Sequence, residues 1–83
     1  MKIRYGGWLK KLLGCDEEEF VLPETVTTVG ALLDWLPGRS ERHEKALEHS
    51  GVFIVSVNWR YARRPDPVAD KDEVLLMPPM AGG

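Results

Sequence analysis

Met1 to Tyr5 alternates in polarity, with Ile3 and Tyr5 on one side and Lys2 and Arg4 on the other. That period of two predicts a half-buried first strand. Trp8, Leu9, Leu12 and Leu13 then recur at helical spacing around Lys10 and Lys11, and Gly14 can end a short helix in a left-handed conformation. "EEEFVLP", from Glu17, reads as a second strand with Phe20 and Leu22 on one face, stopped at Pro23, which has no N–H to donate. The strongest periodicity follows "TVTT": Thr28 as N-cap, an apolar stripe of Val29, Leu32, Leu33 and Leu36, and a Pro37-Gly38 stop. Ser40 caps a more polar segment, "ERHEKALEH", whose Ala46 and Leu47 give only a thin apolar edge, so it is expected at the surface. "VFIVSVN" is β-rich, Asn58 suits a turn, and "WRYA" returns as a short strand before Pro65 and Pro67. "DKDEVLLMPP" supplies a polar turn, a strand over Glu73 to Met77 and a proline stop.

A strong helix lies between strands two and three, and the first and last strands are free to pair side by side. The economical arrangement is an α+β roll, a small mixed sheet covered on one face by a helix. Residues 1–83 are expected to form a single domain, with 78–83 as a flexible tail.

The last strand carries a further implication. In Val74-Leu75-Leu76-Met77, side chains point alternately to opposite faces, so Val74 and Leu76 enter the core only if Leu75 and Met77 leave it. The main helix shields one side of the sheet, which favours an exposed apolar patch of Leu75 and Met77, extended by Trp59, Tyr61 and Met80. Such patches mark interaction sites. The alternative is that the short first helix or "ERHEKALEH" folds over them. Pro78 and Pro79 continue from this strand as a stiff, extended stem at about 3.1 Å per residue. Gly82 and Gly83 have no Cβ, so a partner's walls can close on the backbone and reach the terminal carboxylate.

Composition removes several functions. Eleven basic against thirteen acidic side chains leave a net charge of −2, so no basic field points to nucleic acid. Cys15 is the single cysteine, which excludes an internal disulfide framework and a grouped zinc site and fits a reducing interior. No apolar run is long enough to cross a bilayer, and a cytoplasmic location is expected.

The ending "VNWRYA…DPVADKDEVLLMPPMAGG", with the opening strand, "WLKKLLG" and "TVGALLDWL", resembles the ubiquitin-like sulfur carriers of the ThiS/MoaD type, in particular the small subunit of molybdopterin synthase. "GRSERHEKALEHSG" fills an interval that thiamine-pathway carriers usually lack, which favours the molybdopterin type. The resemblance implies a ubiquitin-like β-grasp fold and a protein that is not catalytic alone. It implies that an adenylyltransferase resembling ubiquitin-activating enzymes uses ATP on the Gly83 carboxylate, and that a sulfur donor displaces AMP to leave a thiocarboxylate. The large synthase subunit would then receive the tail, with Gly82 and Ala81 fitting its channel and Met77, Leu75 and Met80 as partner contacts. The carrier itself is expected to bind no cofactor, metal, nucleic acid or membrane. This sequence departs from the family at Gly6, where an aromatic is common, at Met77, where phenylalanine is common, and at Lys71, where glycine is common. A positive φ at Lys71 would cost roughly 1 kcal/mol.

The remaining polar residues point to no self-contained active site. Cys15 reads as an incidental thiol, and His43 and His49 as members of a solvated helix without a third ligand. Glu17 to Glu19 form an acidic run and Arg60, Arg63 and Arg64 a basic one that suits either a partner's acidic rim or a solvated loop. Two other functions use the same features: a ubiquitin-like protein modifier joined through Gly83, and a carrier for thiamine or tRNA thiolation. A non-covalent β-grasp module would leave the terminus chemically idle.

Overall fold

The parallel pairing of the first and last strands organises the protein. In the computed structural model, which describes residues 1–48 and 53–79, β1 (Lys2–Tyr5) lies parallel to β5 (Glu73–Met77), with Ile3 opposite Val74 and Tyr5 opposite Leu76. β2 (Glu17–Glu19) flanks β1 antiparallel; β3 (Ile54–Val57) flanks β5 antiparallel and carries β4 (Arg60–Ala62) at the far edge. The sheet order is β2-β1-β5-β3-β4.

Alternation then sorts side chains between the two faces. Ile3, Tyr5, Val55, Val74 and Leu76 are all buried on one face, beneath α1 (Leu9–Leu13), α2 (Val29–Trp35) and α3 (Glu41–Ala46). Leu9, Leu13, Leu32, Leu33, Leu36 and Leu47 complete the same cluster. Each fully buried aliphatic side chain contributes about 1.5–3 kcal/mol of transfer free energy. All three helices contribute buried side chains to this cluster, and among the described residues none of them covers the opposite face.

The expected caps form. Thr28, in extended conformation, accepts from Ala31 N at 3.1 Å and starts α2; Ser40 accepts from His43 N at 3.2 Å and starts α3. Gly14 ends α1 with φ 76°. Pro37-Gly38 does not stop the chain outright: Leu36–Arg39 tightens into a 3-10 turn, in which Pro37 occupies the first turn, where no N–H partner is needed.

Three readings are corrected. The second strand ends at Glu19, although Phe20 still exchanges backbone bonds with Met1 (Phe20 N to Met1 O 2.9 Å, Met1 N to Phe20 O 2.7 Å). "ERHEKALEH" is not a loosely held surface segment, because His43, Ala46 and Leu47 are buried. Lys71 carries no positive φ: among the described residues that conformation belongs, outside glycine, to Asn58 and Trp59. Asp72 instead closes the turn locally, its carboxylate accepting from Ala69 N at 2.8 Å.

Candidate functional site

The uncovered face of the sheet divides into a charged half and an apolar half. Lys2, Arg4, Glu17 and Glu73 lie over β1, β2 and the start of β5, with Lys2 paired to Glu17 at 3.3 Å. Arg4 Nε stands 3.0 Å from Glu73 Oε2, an ion-pair distance without hydrogen-bond alignment. Over β5, β3 and β4, register places Leu75 beside Ser56 and Met77 beside Ile54, with Tyr61 opposite Ser56. Leu75 and Met77 are half-buried, whereas Trp59 is 69% and Tyr61 82% exposed. The expected apolar patch is therefore present at Leu75, Met77, Trp59 and Tyr61, and among the described residues neither α1 nor α3 folds over it.

The β3–β4 hairpin presents the aromatics. Asn58 and Trp59 take φ 51° and 69° at the two central positions of the turn, the left-handed pair that a two-residue hairpin needs. Asparagine tolerates this conformation; tryptophan does so at a cost of about 1–2 kcal/mol. Asn58 is fixed from both sides, donating to Asp72 Oδ1 at 3.1 Å and accepting from Glu73 N at 3.0 Å. Trp59 leans toward Arg4, whose guanidinium carbon is 5.8 Å from the ring centroid. Arg4, Gly6, Lys10, Trp59, Leu75 and Met77 border a shallow pocket of about 340 Å³.

Gly6 explains the departure at Met77. A Cβ on Gly6 would stand 2.9 Å from Met77 Cγ, so the methionine occupies space that a larger residue at position 6 would claim. Methionine fills such irregular space adaptably. Pro78 and Pro79 follow directly from this corner. Met80, Ala81, Gly82 and Gly83, the expected tail contacts and carrier position, lie outside the described residues, as does His49.

On the covered side, a polar cluster escaped sequence reasoning. Tyr5 Oη donates to Glu18 Oε1 at 2.7 Å, and His43 Nε2 faces the same oxygen at 2.8 Å while its Nδ1 lies 2.7 Å from Ser40 Oγ. His43 is thus a buried bridge between β2 and α3, rather than a solvated helical residue. Burial, reinforced by Glu18, pushes the Tyr5 phenol far above its ordinary range. Burial and the Glu18 charge also push the Cys15 thiol up, which disfavours thiolate and agrees with an incidental role. The signal for this cluster was not local: Tyr5, Glu18 and His43 are brought together only by the β1–β2 register and α3 docking.

Of the basic run, Arg64 is structural, donating to both Asp34 oxygens at 3.0 and 3.1 Å. It borders a second hollow of about 220 Å³ between α2 and the β3–β4 hairpin, lined by Val29, Leu33, Val55 and Arg63. No catalytic grouping faces that hollow. Among the described residues, no cluster of His, Cys, Asp and Glu can hold a metal, and no helix is long and apolar enough to cross a membrane.

Comparison with known proteins agrees with this architecture. The ThiS family model matches residues 3–83. The chain is 31% identical to the molybdopterin synthase sulfur carrier subunit of Escherichia coli strain K12, over 100% of this chain and 99% of that one. The structure is similar to SAMP1 from Haloferax volcanii, with TM-score 0.76, 27% identity and coverage of 100% and 98% of the two chains. It is also similar to a Pyrococcus furiosus protein assigned as molybdopterin converting factor subunit 1, with TM-score 0.73, 31% identity and 95% coverage of each chain. An α+β sheet in the order 2-1-5-3-4 with its helices on one face, matched in sequence from the first strand through the terminal glycines, means that the chain belongs to the ThiS family.

Proposed function

We propose that the protein is a sulfur carrier that donates sulfur from a Gly83 thiocarboxylate to a pterin precursor in molybdenum cofactor biosynthesis. The observation that carries this reading is the continuity in sequence of an open apolar face, Leu75 and Met77, with a diproline stem leading to Gly82-Gly83. The full-length similarity to an E. coli sulfur carrier subunit supplies the cargo.

The face docks and the tail reacts. A free carboxylate is a poor electrophile, so an activating partner joins it to AMP from ATP, releasing pyrophosphate. A sulfur donor then displaces AMP, leaving the thiocarboxylate as an anionic nucleophile. Met77, Leu75 and Met80 contact the partner surface, while Ala81 and Gly82 thread a channel too narrow for larger side chains. The large synthase subunit supplies the catalytic groups, and this chain is not an enzyme alone.

The test is reconstitution with the activating enzyme, a sulfur donor, the large subunit and the pterin precursor. The expected results are replacement of one Gly83 oxygen by sulfur in the intact mass and formation of the dithiolene product. Thiocarboxylate without dithiolene product, despite a stable complex, would move the carrier to thiamine or tRNA thiolation. The similarity to SAMP1, the small archaeal modifier protein 1 of Haloferax volcanii, favours one second reading, a protein modifier. Lysine conjugates through Gly83 without thiocarboxylate would establish that one instead.

A further inference from the structure

Gly7 faces the point where the tail leaves the sheet. Its φ is +54°, and a Cβ there would stand 2.9 Å from Pro78 Cγ and 3.3 Å from Pro78 Cδ. The backbone on either side is held. Gly6 N donates to Leu76 O at 2.8 Å, the last rung of the β1–β5 ladder, and Leu9 N donates to Gly6 O at 3.2 Å as the chain turns into α1. Gly7 therefore cannot slide away from Pro78 without breaking one of these bonds.

The neighbouring glycine supplies an internal contrast. A Cβ on Gly6 would also meet an atom at 2.9 Å, but that atom is Met77 Cγ, in a flexible side chain that can rotate aside. Pro78 is a ring fused to its own backbone, with φ fixed near −65°. It yields only if the stem itself changes course.

We infer that Gly7 is a positioning residue: its missing side chain forms the seat on which Pro78 rests, and so sets the direction in which the reactive tail departs from the docking face. This rests on the sulfur-carrier reading for its consequence, though not for its geometry. A carrier docks through one surface and reacts several residues away, so an error in the stem's angle displaces Gly83 while leaving docking intact. Displacements of about 1 Å from reacting geometry cost up to roughly a hundredfold in rate.

The experiment uses the full chain in four forms: wild type, Gly7→Ala, Gly7→Ala/Pro78→Ala, and Gly38→Ala as a control at a glycine with nothing within 4 Å. Nuclear Overhauser contacts between Gly7 Hα and the Pro78 ring are expected in the wild type, and their absence overturns the inference whatever the function. ATP–pyrophosphate exchange with the activating enzyme then reads adenylation of Gly83. Gly7→Ala should lower kcat at least about tenfold with KM changed less than about threefold. Adding Pro78→Ala, which removes Cγ and Cδ and with them the clash, should raise kcat at least about threefold over Gly7→Ala without reaching the wild type, because the stem has lost its fixed φ. The double variant should still melt below the wild type, because the positive φ remains strained for alanine. Unchanged kcat in Gly7→Ala, or a loss that follows stability and is not rescued, overturns the assignment. If wild type is not adenylated at all, the carrier reading fails instead, and the seat is judged by whether Gly7→Ala abolishes the contacts of Pro78 with residues 6 and 7 and shifts the stem resonances. Unperturbed stem resonances would overturn it.

Discussion

A single carboxylate oxygen, Glu18 Oε1, receives the Tyr5 hydroxyl at 2.7 Å and faces His43 Nε2 at 2.8 Å. Truncation by Glu18→Ala leaves both groups without that acceptor. Tyr5 is 1% exposed and His43 8%, so water reaches the hydroxyl poorly and the imidazole only at its edge. Stranding the phenol costs about 1.5–3 kcal/mol, because its acceptor was charged, and weakening the imidazole contact adds about 0.5–1 kcal/mol. The expected total is about 2–4 kcal/mol, with each kcal/mol lowering Tm by roughly 4–8 °C in a domain of this size. Urea denaturation at neutral pH measures it, with an unchanged m-value as the sign that the transition remains comparable. Glu19→Ala, one residue along and exposed, is the control and should stay within about 0.5 kcal/mol of wild type. In a Tyr5→Phe background the cost of Glu18→Ala should shrink by about 1–2 kcal/mol, since the stranded donor is gone. The reasoning is refuted if Glu18→Ala and Glu19→Ala are equally mild, or if Tyr5→Phe leaves the cost of Glu18→Ala unaltered.

The same phenol gives a pH dependence: its folded pKa lies above the unfolded value of 10.0, so its stabilisation is complete below that pH and lost as pH rises beyond it. Phenolate absorbance assigned to Tyr5, by difference from Tyr5→Phe, should appear only with loss of near-ultraviolet circular dichroism. Asp70 has the opposite sign. The Leu22 N–H at 2.9 Å, aided by the N-terminal amine, holds its carboxyl below the usual range, so Asp70→Asn should lower the urea midpoint at neutral pH and become neutral once acid has protonated the wild-type carboxylate. Tyr61→Ser should leave Tm within a few degrees yet weaken binding to the large subunit, measured by calorimetry, about 5–30-fold, as for an exposed aromatic anchor. Trp59→Gly should raise stability by about 1 kcal/mol by relieving the turn, and lower partner affinity at the same time; a destabilised variant would show that the Arg4 contact outweighs the backbone strain.

Much of this molecule was readable from its chain. Strict alternation in Lys2–Tyr5 and Val74–Met77 defined both faces of the sheet, and the Thr28 and Ser40 caps located two helix starts. Leu75 and Met77 fall on the open face because they alternate along the strand with Val74 and Leu76, which enter the core. Other features depend on distance rather than pattern. His43 sits among Glu41, Arg42, Glu44 and Lys45, so its local sequence resembles a solvated helix; its burial goes with a contact to Glu18, 25 residues away. "FVLP" has strand-like composition, but among the described residues its pairing with β1 goes no further than the Phe20–Met1 backbone bonds. The seat at Gly7 was equally invisible, since a glycine after a strand signals a turn and nothing about which proline leans on it.

The pairing of β1 with β5 has a consequence for when the open face forms. Lys2 is matched to Glu73 and Tyr5 to Leu76, so the central ladder joins residues 71 positions apart in sequence. Contacts of such separation form late, after the loop between them has closed. Without β5, β1 and β3 have no common neighbour, and the face that carries Leu75 and Met77 does not exist. The open face and the base of the stem therefore arise in one step, when β5 enters between β1 and β3.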